Sequence, residues 1–277
     1  MKKGSIHQSD PVPLPGPGAT DALLGCLGEG AGPVGPAHLE RLCRLFARFP
    51  YENVTKIIRR GADLTGAPRF RGPGEVVDGF IRAGAGGTCF SLTNLFLQVL
   101  ADCGYRAAPF LAHMGRRENV HCGLLVDLFD GGRALVDPGY LVNRPLPLAP
   151  GRSEHRTRSA RILLEGDGER YRLCTLTAGE WKERYRFDAR PPDHDTFLLA
   201  WRESFTGPGM NQLCLTRGID DGYLYLHGRH LRRVTGDEKQ VRKLGRDDAV
   251  AVAEPFGIDP GLVEEAAAML ASLRRNG

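Results

Sequence analysis

Gly86-Gly87-Thr88-Cys89-Phe90-Ser91-Leu92-Thr93-Asn94-Leu95-Phe96-Leu97-Gln98-Val99-Leu100-Ala101-Asp102-Cys103-Gly104-Tyr105 divides the chain into two kinds of structure. Its apolar set Leu92, Leu95, Phe96, Val99, Leu100 and Cys103 recurs at steps of three and four, which places every member on one face of a helix over about 89–103. Gly104 follows where a left-handed backbone ends a helix at least cost. Upstream, the groups Leu23, Leu24, Leu27, then Leu39, Leu42, Cys43, Leu45, Phe46, then Val76, Val77, Phe80 repeat that spacing. The first hundred residues therefore read as a helical bundle. Downstream of Tyr105 the period drops to about 2. Strands are expected at 106–114, 120–129 and 133–136, the last two joined by the turn Asp130-Gly131-Gly132.

Further strands at 161–165 and 170–175 flank Gly166-Asp167-Gly168, and another covers 181–187, so the middle of the chain reads as a sheet or small barrel. A helix containing Phe197, Leu198 and Trp201 follows Pro191-Pro192. Strands at 212–216, 222–227 and 230–234 come next, separated by Asp220-Asp221-Gly222 and Gly228-Arg229. The tail, 247–275, is helical with a break at Gly257-Ile258-Asp259-Pro260. Prolines 11, 13, 15 and 17 mark an extended arm at the amino terminus.

With 42% hydrophobic and 25% charged residues, the 277-residue chain has the composition of a globular protein. Its net charge of +4 is far from the clustered basic excess of a nucleic-acid binder. Met1-Lys2-Lys3 is followed by polar residues rather than an apolar core, and no stretch is long and apolar enough to span a bilayer, so the expected location is the cytoplasm, with no membrane partner. Seven widely spaced cysteines without a C-x-x-C pair are expected to be free thiols, and no metal is expected. His227-Gly228-Arg229-His230 reads as a hairpin tip before it reads as a metal pair. The arginines at 152, 156, 158 and 161 form a basic cluster, either a solvated loop or a contact for nucleotide phosphates.

Cys89 differs from the other cysteines. It opens its helix after Gly84-Ala85-Gly86-Gly87-Thr88, so its sulfur lies at the positive end of the helix dipole, where a thiolate is favoured. The alternative is an N-cap loop whose cysteine is simply packed. His121 lies in an apolar strand and Asp137 ends the next one, so a hairpin centred near residue 129 makes them cross-strand neighbours. Such a carboxylate can orient an imidazole that serves the thiolate. The pair can also be a self-satisfied polar contact, or Asp137 can start the turn at Pro138-Gly139.

The run from Gly86 to Phe90, the helix ending at Gly104-Tyr105, the strand histidine and the Val136-Asp137 strand end resemble the arylamine N-acetyltransferases. Phe49-Pro50-Tyr51-Glu52-Asn53-Val54, the hairpin over 222–235 and Phe256-Gly257-Ile258-Asp259 extend the resemblance to about residues 21–270. It implies an α+β fold with a cysteine-protease-like catalytic core. After a flexible arm (1–20) come a helical bundle with the nucleophile (21–105), an antiparallel β-barrel with histidine and aspartate (106–190) and an α/β lid (191–277). It implies catalytic Cys89, His121 and Asp137, with acetyl-CoA or another acyl-CoA donating an acyl group through a cysteine thioester to an amine such as an arylamine or hydrazine. The sequence departs from the family at Ala85, where an arginine is usual and Arg82 is the nearest substitute. It departs again at Ser91 and at Pro138-Gly139-Tyr140. These departures leave open a biosynthetic amide synthase acting on a carrier protein or a noncatalytic binding relative, and the Cys-His-Asp logic itself is shared with cysteine hydrolases.

Overall fold

The computed structural model describes residues 18–28, 32–61, 69–140, 142–157, 160–177, 179–236, 238–245 and 248–275. The proline-rich arm at 11–17 and Arg158 lie outside them. Four helices, α1 (Ala19–Cys26), α2 (Pro36–Phe46), α4 (Pro73–Ala83) and α5 (Cys89–Asp102), build the bundle. Ala19 and Thr20, expected in the arm, open α1 and are buried. The apolar faces read from the sequence meet in one core, where Phe46 stacks on Phe96 with ring centroids 3.8 Å apart. Proline occupies the first turn of both α2 and α4, where its missing N–H costs nothing. Gly104, at φ +85°, ends α5, and the Tyr105 amide closes back on the Leu100 carbonyl at 2.8 Å.

The eight strands β2 (Ala107–Met114), β3 (Arg117–Asp127), β4 (Arg133–Val136), β5 (Leu146–Leu148), β6 (Gly151–Arg156), β7 (Arg161–Gly166), β8 (Arg170–Thr177) and β9 (Glu180–Asp188) form one antiparallel sheet in the order β5-β4-β3-β2-β9-β8-β7-β6. Leu146 from one end and Ile162 and Leu164 from near the other share a core with Phe110, Tyr185 and Phe187, so the sheet curls into a nearly closed barrel. Strand alternation decides which neighbour each side chain meets. Leu125 and Leu135 point into the barrel, whereas Leu124, Val126 and Val136 cover its outer face and pack on the bundle. The α5 helix is tied to this wall through Thr93 Oγ1, which donates to the Cys122 carbonyl at 3.4 Å.

The late strands β10 (Cys214–Ile219), β11 (Gly222–His227), β12 (His230–Thr235) and β13 (Glu238–Lys243) form a second antiparallel sheet, preceded in the chain by α6 (His194–Glu203) and followed by α7 (Ala249–Ala253) and α8 (Pro260–Arg275). Both turns expected from the sequence are present, closing His227 on His230 and Ile219 on Gly222, with β10 running three residues beyond the expected end at 216. The sheet also takes in a distant piece of chain: β1 (Tyr51–Glu52) pairs with β10. Behind it, Val54 and Ile57 of α3 (Val54–Gly61) pack in one core with Val263, Ala266 and Leu270 of α8. The segment just before the bundle's last helices is thus built into the carboxyl-terminal layer, which brings that layer to the edge of the Cys89 loop. No helix among the described residues is long and apolar enough to cross a membrane.

Candidate active site

Cys89 is the first residue of α5, behind Thr88 at the N-cap, so the unpaired amides of the first helical turn surround its backbone. The preceding loop is held from two sides. Tyr51 bridges to Gly87, and the Glu52 amide donates to the Gly87 carbonyl at 3.0 Å. Gly86 lies so close to Pro50 that a Cβ there would fall 1.9 Å from the Pro50 carbonyl oxygen. From below, Arg71 Nη1 donates to the Gly86 carbonyl at 2.6 Å and to Thr55 Oγ1 at 3.0 Å, while Nη2 donates to the Glu75 carbonyl at 3.0 Å. Its guanidinium lies 3.7 Å from Glu52, and both side chains are buried. Burial pushes the Glu52 carboxyl upward in pKa and Arg71 opposes it. The cation beneath the Cys89 loop is therefore Arg71, from the turn before α4. Arg82, the arginine nearest position 85 in sequence, is instead 74% exposed and pairs with Asp78 on the surface of α4.

The three residues singled out in the sequence come together. His121 Nε2 and Asp137 Oδ2 are 2.7 Å apart, and the imidazole also shares a hydrogen bond with the Cys89 sulfur. All three are at least 95% buried. The β3–β4 register is shifted by two residues from a hairpin centred on residue 129, so the faces of the strands are kept. Val136 faces Leu124, so Asp137 falls opposite residue 123 and reaches His121 diagonally. Gly139 then lies over the pair: a Cβ there would be 2.8 Å from Cys89 Cβ and 3.1 Å from His121 Cε1.

Several partners were not legible beforehand. Asp137 Oδ2 accepts from the Tyr185 hydroxyl at 2.7 Å, and Oδ1 accepts from the Tyr140 amide at 3.0 Å. The Tyr140 and Tyr185 rings pack on the imidazole with centroids 5.2 and 4.8 Å away. Hydrogen bonding with Cys122, together with His121 and Lys56, holds Cys89 well below its ordinary pKa of 9.0 against the cost of burial. Burial draws His121 downward, but the Asp137 carboxylate and the thiolate outweigh it and raise it from 6.5 to about 10. Lys56 is pulled down to about 8 by burial; its ammonium donates to Ser204 Oγ at 2.5 Å and lies 4.7 Å from the Phe205 ring centre. The arrangement favours a thiolate–imidazolium pair braced by a buried carboxylate, which suits nucleophilic attack on an acyl group.

The other candidates lie elsewhere. Arg152 and Arg161 both pair with Glu154 on the outer strands of the barrel. His227 and His230 are cross-strand partners at a hairpin tip, with Gln212 Nε2 2.8 Å from His227.

The profile of the N-acetyltransferase family matches residues 37–262. Among solved structures, the arylamine N-acetyltransferase of Nocardia farcinica aligns with a TM-score of 0.77 over 95% of this chain and 98% of its own, at 23% identity. That of Mycobacterium marinum, in complex with CoA, aligns at 0.76 over 90% and 98%, at 21% identity. In sequence, proansamycin X synthase of Amycolatopsis mediterranei is 26% identical over 81% of this chain and 90% of its own. The structural likeness establishes the fold and the profile match the lineage: the chain belongs to the N-acetyltransferase family, as a divergent enzyme built on the arylamine N-acetyltransferase fold.

Proposed function

We propose that the protein moves an acyl group from a CoA-type thioester through Cys89 to an amine. The observation that carries this reading is the buried chain of contacts from the Cys89 sulfur through His121 to Asp137. In the first half-reaction the Cys89 thiolate attacks the thioester carbonyl, and collapse of the tetrahedral adduct expels the donor thiolate, which takes the proton held by His121. The site is left with an acyl-cysteine and a neutral imidazole. In the second half-reaction the amine attacks the acyl-cysteine, His121 accepts its proton, and the Cys89 thiolate leaves, restoring the starting ion pair. Asp137, held by Tyr185 and the Tyr140 amide, fixes the ring and stabilises its charged form in both halves. Cys89, His121 and Asp137 fit the roles of nucleophile, base and orienting carboxylate, and the scheme draws on CoA as a substrate, the ligand of the Mycobacterium marinum enzyme.

Exposure to acetyl-CoA followed by intact-mass measurement tests this reading. Wild-type protein should gain one acetyl group mapping to Cys89 and lose it to an added arylamine, and a Cys89→Ser protein that transfers acetyl at the parent rate would refute the assignment. The 26% likeness to a protein named as a synthase favours a second reading, in which amine and thioester belong to one molecule, such as a chain bound to a carrier protein. Under that reading Cys89 still acylates, but free arylamines fail to discharge it.

A further inference from the structure

The α3 helix packs Val54 and Ile57 into the carboxyl-terminal core, but Lys56 between them enters the cluster around the nucleophile. Its ammonium lies 5.9 Å from the ring centre of Phe90, the residue after Cys89, and 4.7 Å from that of Phe205. Both rings belong to the apolar cluster that contains Cys89 and Cys122. Lys56 is only 7% exposed.

A lysine in such a place lowers stability unless something compensates. An ammonium has three hydrogens to donate. Among the described residues its hydrogen-bond partner is the Ser204 hydroxyl, at 2.5 Å, whose own proton goes to the Trp201 carbonyl. No carboxylate pairs with Lys56 among the described residues. What opposes its burial is negative charge on the Cys89 and Cys122 sulfurs. Burial pushes the Cys122 thiol well upward, so that charge resides on Cys89.

The titratable groups that face the Cys89 sulfur are Cys122 and His121 from β3, Lys56 from α3, Tyr51 from β1 and Tyr140 after β4. Burial keeps both phenols neutral. The positive charges are those of His121 and Lys56, and His121 already shares its charge with Asp137 at 2.7 Å. Lys56 has Cys89 as its anion.

We propose that Lys56 is the second cation of the site, a positioning residue that holds negative charge on the Cys89 sulfur and so makes it a better leaving group when the acyl-cysteine is discharged. This inference rests on the proposed transfer reaction. The sulfur of an acyl-cysteine carries no charge. As the amine attacks the acyl carbon and the carbon–sulfur bond breaks, the bonding pair moves to the sulfur and the amine proton to His121. The charge that develops meets an ammonium already in place. In the acylation half-reaction the thiolate is present from the start, so Lys56 stabilises the reactant and contributes less to the rate.

The test reads Cys89 reactivity and stability in the same proteins. In Lys56→Met the acid limb of Cys89 alkylation by iodoacetamide, read by peptide mass, should move up by about 1–2 pH units, the scale of removing an opposite charge from a buried group. The melting temperature should stay level or rise, because an apolar chain replaces a buried ammonium. Lys56→Gln keeps an N–H donor for Ser204 without the charge and should shift the limb as Met does. Acetyl-Cys89 protein freed of CoA should be discharged by hydroxylamine about three- to tenfold more slowly in both variants. Acylation by acetyl-CoA, measured above the acid limbs of all three proteins, should change by less. A limb that stays in place in Lys56→Met, whatever happens to the melting temperature, would make Lys56 a packing residue and overturn the proposal. A limb restored by Lys56→Gln would assign the effect to the hydrogen bond and overturn it too, and equal slowing of acylation and discharge would refute the leaving-group role. A shifted limb in proteins that acetyl-CoA never acylates would sink the transfer reading and keep Lys56 as the counter-charge of the thiolate.

Discussion

Adding one methyl group at Gly139 should disable the site without unfolding the protein. Gly139 has no left-handed backbone torsion, so alanine fits its main chain and the cost falls on its neighbours. A Cβ there would lie 2.8 Å from Cys89 Cβ, 3.1 Å from Cys89 Cα and 3.1 Å from His121 Cε1. Carbon atoms settle at about 3.5–4.0 Å, so sulfur-bearing and imidazole-bearing residues must separate by roughly 0.5–1 Å. Neither yields easily: Cys89 is in the first turn of α5, and His121 is fixed by Asp137. Overpacking of this kind costs about 1–3 kcal/mol, equivalent to a fall in melting temperature of roughly 2–10 °C. Displacement of reacting groups by about 1 Å costs on the order of 10²-fold in rate. The expected outcome for Gly139→Ala is therefore a folded protein whose Cys89 is acylated by acetyl-CoA roughly 10- to 100-fold more slowly in a quenched single-turnover assay read by mass. Gly74→Ala is the control, since nothing lies within 4 Å of a Cβ at that position in α4; it should be neutral or slightly stabilising. A Gly139→Ala protein acylated at the parental rate would show that Cys89 and His121 are not in the close contact described.

Asp137→Asn should lower acylation by about 10³–10⁴-fold, the scale seen when a triad carboxylate is neutralised. It should also drop the His121 pKa from about 10, because burial alone drives that group downward; histidine NMR titration reads the shift. Between pH 6.5 and pH 9.0, the ordinary pKa values of imidazole and thiol, wild-type alkylation by iodoacetamide should rise far less steeply than that of a free cysteine, because Cys89 is held well below 9.0 while His121 keeps its proton to about 10. In that window the folded pair and the unfolded thiol and imidazole hold the same number of protons, so the pair adds a stability that is constant there. Below 6.5 the unfolded imidazole binds an extra proton, and above 9.0 the unfolded thiol releases one, so the contribution declines on both sides. A tenfold rise in alkylation per pH unit across the window would contradict the ion pair. Arg71→Met leaves the buried Glu52 without its counter-charge and frees the Gly86 carbonyl. It should cost about 3–5 kcal/mol, measurable by thermal or urea denaturation, and Arg82→Met, at the exposed position, should change stability by less than about 0.5 kcal/mol.

What was legible in the sequence depended on local periodicity, and what was not depended on the chain returning from a distance. The α5 face and the parity of β3 and β4 are fixed within a few residues, which is why Cys89, His121 and Asp137 can be brought together from the sequence despite a two-residue error in register, which preserves parity. The α3 helix escaped because Val54, Ile57 and Ile58 make barely two turns, and Lys56 between them reads as a solvent face although it is buried. Strand β13 alternates nothing: all six of its residues are exposed, and only its ladder with β12 defines it. Tyr185 reaches Asp137 because the barrel curls back on itself after 48 residues, and no spacing rule links them. Arg71 is the most instructive case. A buried carbonyl at Gly86 and a buried carboxylate at Glu52 together require a cation, but electrostatics sets only where its charge must lie, not which segment delivers it. Reading along the chain from the vacant position 85 leads to Arg82, whose own helix turns it to solvent. The physical requirement is met from the turn before α4, where Arg71 reaches both groups from outside the motif.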